Sequence, residues 1–472
     1  MSCQLLVLEA LAILSTALPP VSSQPAQESI TRPPAASSAT DYRFTPADEA
    51  LLDEIERACF LYFWNEVGSP APLAKDRFRG PVSSIAAVGF QLSSLPIGVE
   101  RRWITREQGA ERAAAVLRAL IERSDNKKWG VYLHYPDLNT GGMSREGYEI
   151  VASTVDHALL IAGAIPAAEY FGEPVRGAVD RLIAETNWRA YAVGPQDFLS
   201  MGWRPDDPDA LEGPGQFIEW HWYNASDEER LIYFLAAGAP NPEFAVPPQQ
   251  YYRLTRPIER HDGMPPYVVS WPGSLFTYLF SHCWIDYAAL GADDPGAFGI
   301  DAPRVDWFEN SRRAVLTHCQ RCIEQSGRFK TLSAERWGLS ACAARDGYIV
   351  PEIQPNLRDV DEWFDGTIAP YAAGTAIMVT PRESVTALRA FRELKDARGR
   401  PLVWRDPAEG GYGLVDSFNL DQGFASDDYV GIDHGPMLVA IENARTGLIH
   451  KLFMRHGAVQ RSLKRLQLSA GK

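Results

Sequence analysis

Basic residues are in the minority in this chain. Against 60 Asp and Glu stand 46 Lys and Arg, a formal net charge of −14 over 472 residues. That balance argues against nucleic acid and anionic membrane surfaces as partners. Cysteine is scarce as well: six occur, and Cys3 falls in an N-terminal apolar run. The other five are an odd number, which argues against a complete disulfide framework. Cys319 and Cys322 sit in an apparent helix without a second CxxC or a clear His pair. They read as small buried apolar residues rather than a zinc site, and no metal is expected. No run reaches the length of a membrane-spanning helix. HExxH, G-x-S-x-G, a Walker loop and the dinucleotide glycine fingerprint are all missing, so no cofactor is implied. Carboxylate chemistry or simple binding is what remains. Alternating strands are few, and no repeat with a period of about 34 or 40 residues runs through the chain.

What the chain does have is aromatic mass, 11% of residues with 13 Trp, in a sequence that is 46% hydrophobic. Each buried indole needs a partner for its N–H, so core filling alone rarely calls for so many. A wide aromatic cleft would use them. The N-terminal run, residues 5–18, reads as an export signal, with Val21, Ser22 and Ser23 offering small residues for cleavage. Glu9 interrupts the run and no Lys or Arg precedes it; an unprocessed tail is the alternative. On the export reading, residues 1–23 are a signal peptide and the protein is periplasmic or secreted. Residues 24–43 are rich in Pro, Ala and Ser and read as a disordered linker.

From Phe44 the chain reads as helix after helix. Thr45-Pro46 opens the first, and 83–95 is apolar enough to be buried. Thr105 with Gln108, Ser226 with Glu229 and Thr380 with Glu383 are capping-box patterns. Residues 154–171 form a nearly all-apolar helix that Pro166 should kink or divide. Further helices are expected over 175–186, 274–290, 307–324, 367–379, 382–395 and 436–446, and a twelfth near 337–344. Paired helices repeated around an axis predict an all-α (α/α)6 toroid over 44–457, followed by a tail, 458–472.

Several carboxylates are placed oddly for surface charges. Asp156 lies in the first turn of an apolar helix, and Glu228 lies among acids at the start of another. Asp433 precedes Gly435-Pro436, read as a loop turning into a helix. Asp286 sits beside Trp284, and Asp365 precedes Gly366-Thr367. Each could simply answer a helix dipole or cap a helix, and Glu442 with Arg445 could be a surface pair. Carboxylates converging on an aromatic cleft suit glycosidic bond cleavage, in which one carboxyl donates a proton and a second, ionised, activates water or attacks. The substrate would then be an oligo- or polysaccharide.

The stretches Ser83-Ser84-Ile85-Ala86-Ala87-Val88-Gly89-Phe90, Leu95-Pro96-Ile97-Gly98, Ser153-Thr154-Val155-Asp156 and Ser281-His282-Cys283-Trp284-Ile285-Asp286 occur in that order. They are followed by Trp307-Phe308-Glu309-Asn310, Trp337-Gly338-Leu339-Ser340, Asp365-Gly366-Thr367-Ile368 and the run from Tyr429 to Gly447. Together they resemble the bacterial glucoamylase-like domain, whose characterised core is the endo-β-1,2-glucanases of glycoside hydrolase family 144. The resemblance implies an (α/α)6 toroid and a metal-free acidic and aromatic pocket. It points to Asp156, Glu228 and Asp433 as the matching acidic positions. The reading is then a β-1,2-glucanase with Glu228 as general acid, Asp433 as general base and Asp156 holding the sugar. A helix N-terminus favours the ionised form that Asp433 needs. Trp203, Trp220, Tyr223, Trp284 and Trp337 would form the sugar-binding wall, with Asp286, Asp365, Glu442 and Arg445 as further contacts. His157, His434, Ala444 and the run Ala239-Pro240-Asn241-Pro242 depart from the family pattern. Transglycosylation, or glucan binding without catalysis, is the alternative.

Overall fold

The computed structural model describes residues 29–32, 42–146 and 148–469. The expected signal, 1–23, lies outside them. Among the described residues no helix is long and apolar enough to cross a membrane.

The chain is mostly helical. In order the helices are α1 (Pro46–Asn65), α2 (Ile85–Glu100), α3 (Arg106–Ile121), α4 (Thr154–Phe171), α5 (Val175–Glu185), α6 (Asp227–Ala237) and α7 (Pro248–Arg253). Then come α8 (Trp307–Glu324), α9 (Pro370–Thr375), α10 (Pro381–Glu393), α11 (Gly431–Thr446), α12 (Leu448–Met454) and α13 (Gly457–Arg465). Two kinds of helix alternate. Helices α2 and α4 are buried along almost their whole length, as their largely apolar sequences require, and α11 is buried from Asp433 to Asn443 although it carries Asp433, His434, Glu442 and Asn443. By contrast α5, α10 and α13 carry a single apolar face. The most extensive packing joins α2 to α4, and α11 packs on α1, α2 and α9. The α2–α4 contact is close because it is built on glycine. A Cβ on Gly163 would stand 1.9 Å from the carbonyl oxygen of Gly89, and one on Gly89 would stand 2.3 Å from that of Leu159.

Capping explains some helix starts and not others. Thr45 and Thr105 make full capping boxes with Asp48 and Gln108. Ser226 and Thr380 cap nothing: the Ser226 hydroxyl is buried without a partner, and that of Thr380 donates back to Ala376 O. Helix α4 runs on through Pro166 without a break. The helix expected over 274–290 is instead two 3-10 turns, Leu275–Tyr278 and Ser281–Cys283. Over 337–344 there is no helix but a strand, Cys342–Ala344, paired with Gly347–Ile349.

Strands are two or three residues long and serve the loops. Lys127–Lys128 (β1) and Val131–Tyr132 (β2) form a hairpin, and Ala152–Ser153 (β3), Gly202–Arg204 (β4) and Gln216–Phe217 (β5) form an antiparallel sheet.

Two terminal expectations change. Within the expected linker, Ile30 is buried and bridges to Val305, while Arg32 pairs with Asp306 at 2.7 Å. Near that anchor Arg256 and Asp293 form a fully buried two-armed pair at 2.7 and 2.9 Å. The expected tail at 458–472 begins as α13, which packs on α6 with Val459 fully buried. The five cysteines beyond Cys3 are all buried and free. Burial pushes every one of those thiols up, that of Cys322 to about 12.

Candidate active site

A cleft of about 470 Å³ opens where α4, α6 and α11 begin. Asp156, Glu228 and His134 line it together with Asp76, Arg77, Glu146 and Glu149, and its aromatic wall includes Trp222, Trp271, Tyr348 and Tyr371.

Asp156 reaches the cleft because the sheet positions the first turn of α4. Strand β3 feeds directly into the helix, and Thr154 N and Oγ1 both donate to Met201 O, at 3.1 and 3.0 Å. The indole N–H of Trp222 donates to Thr154 Oγ1 at 2.8 Å, tying the wall to the same turn. The Ser153 hydroxyl donates to Asp156 Oδ2, and His134 Nε2 lies 3.4 Å from Asp156 Oδ1.

Glu228 starts α6 between two acids that turn into the body. Asp227 receives Arg230 Nη2 at 2.7 Å and Ser281 Oγ at 2.6 Å. Glu229 is buried with Oε2 unpartnered, and burial pushes its carboxyl up to about 8. Glu228 is left to face the cleft. Burial, then the nearby charges of Glu229, Asp156 and Asp227, hold its carboxyl well above the usual range. The dipole of α6 would lower it, but desolvation and three neighbouring carboxylates outweigh the dipole.

Asp433 is where the sequence reading needs most correction. Helix α11 begins at Gly431, so Asp433 lies inside its first turn and Pro436 comes later. The side chain is fully buried and absent from the cleft wall; Tyr348, which does line it, donates to Asp433 Oδ2 at 3.5 Å. Burial and Asp416 beside it raise the carboxyl well above the ordinary value, the reverse of the expected dipole effect.

The other selected residues lie elsewhere. Trp203 is fully buried: Lys128 stands 4.3 Å over its ring, and its indole N–H donates to Pro214 O at 2.7 Å. Gly215, at φ +55°, lies so close that a Cβ would be 2.2 Å from that ring. Trp284 stacks on Phe90 at 5.0 Å and donates to Ser93 Oγ, and Trp337 is fully buried with no partner for its N–H. All three are core aromatics. Trp220 and Tyr223 are half-buried and lie outside the cleft wall. Asp286 closes a turn onto Ala289 N, and Asp365 accepts from Thr367 N and Gln422 Nε2. Glu442 and Arg445 do not pair with each other. Glu442 takes Arg101 at 2.7 Å and Arg445 takes Glu56 at 2.5 Å, towards the C-terminal end of α11.

Sequence reasoning missed His134, Trp271 and Tyr348. Nothing in their local pattern marks them, since each is brought in by a loop whose course depends on distant packing. Trp222 could have been found: it lies between the selected Trp220 and Tyr223. Among the described residues no cluster of three or more His, Cys, Asp or Glu could hold a metal ion.

Residues 218–457 match the Glycoamylase family model, a glucoamylase family. The exo-β-1,2-glucooligosaccharide sophorohydrolase of Parabacteroides distasonis is 28% identical over 464 residues, covering 91% of this chain. The chain spans 59% of that relative's length. A solved β-1,2-glucanase from the same species superposes with a TM-score of 0.74 at 25% identity, covering 90% of this chain and 60% of that one. The endo-β-1,2-glucanase of Chitinophaga pinensis, solved with sophorotriose and glucose, gives 0.74 at 24% identity over 90% of this chain and 99% of that one. At that identity the likeness speaks to the fold alone.

Proposed function

Since the chain belongs to the Glycoamylase family, we propose that it is a glycoside hydrolase cleaving β-1,2-glucan. The observation that carries the reading is a carboxyl, Glu228, whose hold on its proton is raised well above the usual range by burial and by neighbouring carboxylates, in the wall of a cleft that also presents Asp156 and aromatic faces. A neutral carboxyl at working pH is what a general acid requires. Glu228 protonates the glycosidic oxygen as the bond breaks. Asp156 and His134 hold sugar hydroxyls at the cleavage point, and Trp222 and Trp271 offer faces on which pyranose rings stack. Asp433 takes the proton of the attacking water through the hydroxyl of Tyr348, because Asp433 itself does not reach the cleft wall. The buried helices α2, α4, α6, α9 and α11, with the 3-10 turns between 275 and 283, are read as the inner ring of an (α/α)6 toroid. The likeness to β-1,2-glucanases supports that architecture.

The test is to incubate the purified protein with β-glucans of different linkage and to follow reducing ends. Release from β-1,2-glucan and little from the others is expected; release from none would sink the reading. Export to the periplasm or beyond is proposed from the N-terminal run alone. Mass spectrometry should then find the mature chain beginning near residue 24, and an intact N-terminus on cytoplasmic protein would refute it.

A further inference from the structure

Behind Tyr348 lie two carboxyls rather than one. Asp416 is buried on the loop that precedes α11 and accepts from Ala343 N at 2.6 Å through Oδ2. Asp433 accepts from Tyr348 through Oδ2. Oδ1 of Asp416 and Oδ1 of Asp433 are both buried with no donor in hydrogen-bond geometry, and the two carboxyls lie within hydrogen-bonding reach of each other, with the Tyr371 hydroxyl, on a side chain that also lines the cleft, beside Asp433. Two carboxylates cannot hydrogen-bond, since neither has a hydrogen to give. A single proton between them satisfies both orphan oxygens at once and removes one of two like charges from a dry site.

We propose that Asp416 and Asp433 share one proton and act as a single acid–base unit that Tyr348 connects to the cleft. The catalytic half of this rests on the glucanase reading; the shared proton does not. Asp433 is the member that Tyr348 reaches, and Asp416 is a positioning residue acting through it. The charged and titratable groups facing the pair are Arg77, Asp428, Tyr348, Tyr371 and Cys342. Arg77 is the one cation among these, and it favours keeping one negative charge in the pair rather than none. Burial, against that, pushes Asp416 up to about 6, which suits a base working near neutrality.

The proton balance closes. The water oxygen bonds the anomeric carbon, and its proton passes to the Tyr348 oxygen as Tyr348 gives its own to Asp433 Oδ2. The glycosidic C–O bond breaks, its electron pair stays on the leaving oxygen, and that oxygen takes the Glu228 proton. The pair then holds two protons and Glu228 none, and exchange with solvent moves one back.

Asp416→Asn is the discriminating variant, because its amide oxygen can still accept from Ala343 N while its N–H₂ donates to Asp433. With a donor in place of a carboxylate, Asp433 ionises more readily. The acidic limb of the kcat–pH profile should move down by about one unit. A fold-keeping role for Asp416 would lower activity without moving that limb, and an unmoved limb overturns the proposal. Tyr348→Phe should lower kcat at least about tenfold with little change in KM; undiminished kcat would remove Tyr348 from the route. A second measurement needs no turnover. At neutral pH the infrared spectrum should contain the carbonyl stretch of a buried protonated carboxyl that is lost in both Asp416→Asn and Asp433→Asn and kept in Glu228→Gln. If it survives Asp416→Asn, the proton is not shared. Should the wild-type protein leave β-1,2-glucan intact, the glucanase reading falls, and the infrared band alone decides the pair.

Discussion

Gly163→Ala tests whether the glycine contact between α2 and α4 governs the cleft. The new methyl carbon would stand 1.9 Å from Gly89 O, and ordinary contact begins at 3.4 Å, so the two helices must part locally by about 1.5 Å. The obstruction is backbone on a buried helix, with no side chain that can swing aside. Overpacking of this kind costs roughly 1–3 kcal/mol, and a backbone obstruction belongs at the upper end. Alanine in place of glycine inside a helix returns about 1 kcal/mol, so the net loss should be about 2 kcal/mol. Urea denaturation reads it as a lower midpoint at unchanged slope. Gly177→Ala, on the exposed face of α5, is the control: its Cβ meets only the flexible end of Glu173, at 2.9 Å. That variant should gain up to about 1 kcal/mol. Asp156 sits at the start of the helix that Gly163→Ala displaces, and misplacing a binding group by about 1 Å can cost 10²-fold, so kcat/KM should fall as well. A Gly163→Ala protein as stable as its control would mean that the helices adjust freely, and the tight-contact reasoning would be wrong.

Further outcomes follow from the same geometry. Glu228→Gln should lower kcat about 10²–10⁴-fold with the fold intact, and in the wild type activity should fall on the alkaline side as the Glu228 carboxyl loses its proton. Glu229 in the folded chain keeps a proton that the unfolded chain releases from its ordinary value of 4.5, so stability should drop as pH rises from there to about 8. In Glu229→Gln a thermal-shift pH series should be flatter over that window. Arg256→Met leaves Asp293 buried without its cation and should cost about 3–5 kcal/mol in a denaturation midpoint. Trp203→Ala should destabilise by about 3–5 kcal/mol, whereas Trp222→Ala, which empties a buried position and removes the bond to Thr154 Oγ1 at the cleft, should both destabilise and raise KM for glucan.

Periodicity was enough to find the helices that bury all round, because α2 and α4 are apolar over most of their length. It failed at 274–290, where an apolar run of Phe, Tyr, Trp and Leu fits a helix pattern but packs as two 3-10 turns. Burial there is set by neighbours, which a one-dimensional pattern does not contain. The same limit separates the tryptophans. Trp203 and Trp284 look like Trp222 in sequence, and all three N–H groups end on partners inside the body, yet only Trp222 lines the cleft. Asp156 stood out because it interrupts an apolar helix, whereas the pattern alone did not separate Glu228 from Asp227 and Glu229, and only the family resemblance pointed to it. The state of Asp433 was not legible, since the deciding neighbour, Asp416, is 17 positions earlier on a loop.

The five buried thiols bear on how this chain can be made. None has a disulfide partner, and burial keeps each as the neutral thiol, which is neither a good nucleophile nor a ready target for oxidants. The native state of the described residues therefore requires no oxidation step, and thiol–disulfide exchange can act only on the unfolded chain, where these thiols are exposed. A reducing compartment leaves the path to that state open, whereas an oxidising one can trap the unfolded chain in non-native disulfides that the native state does not contain.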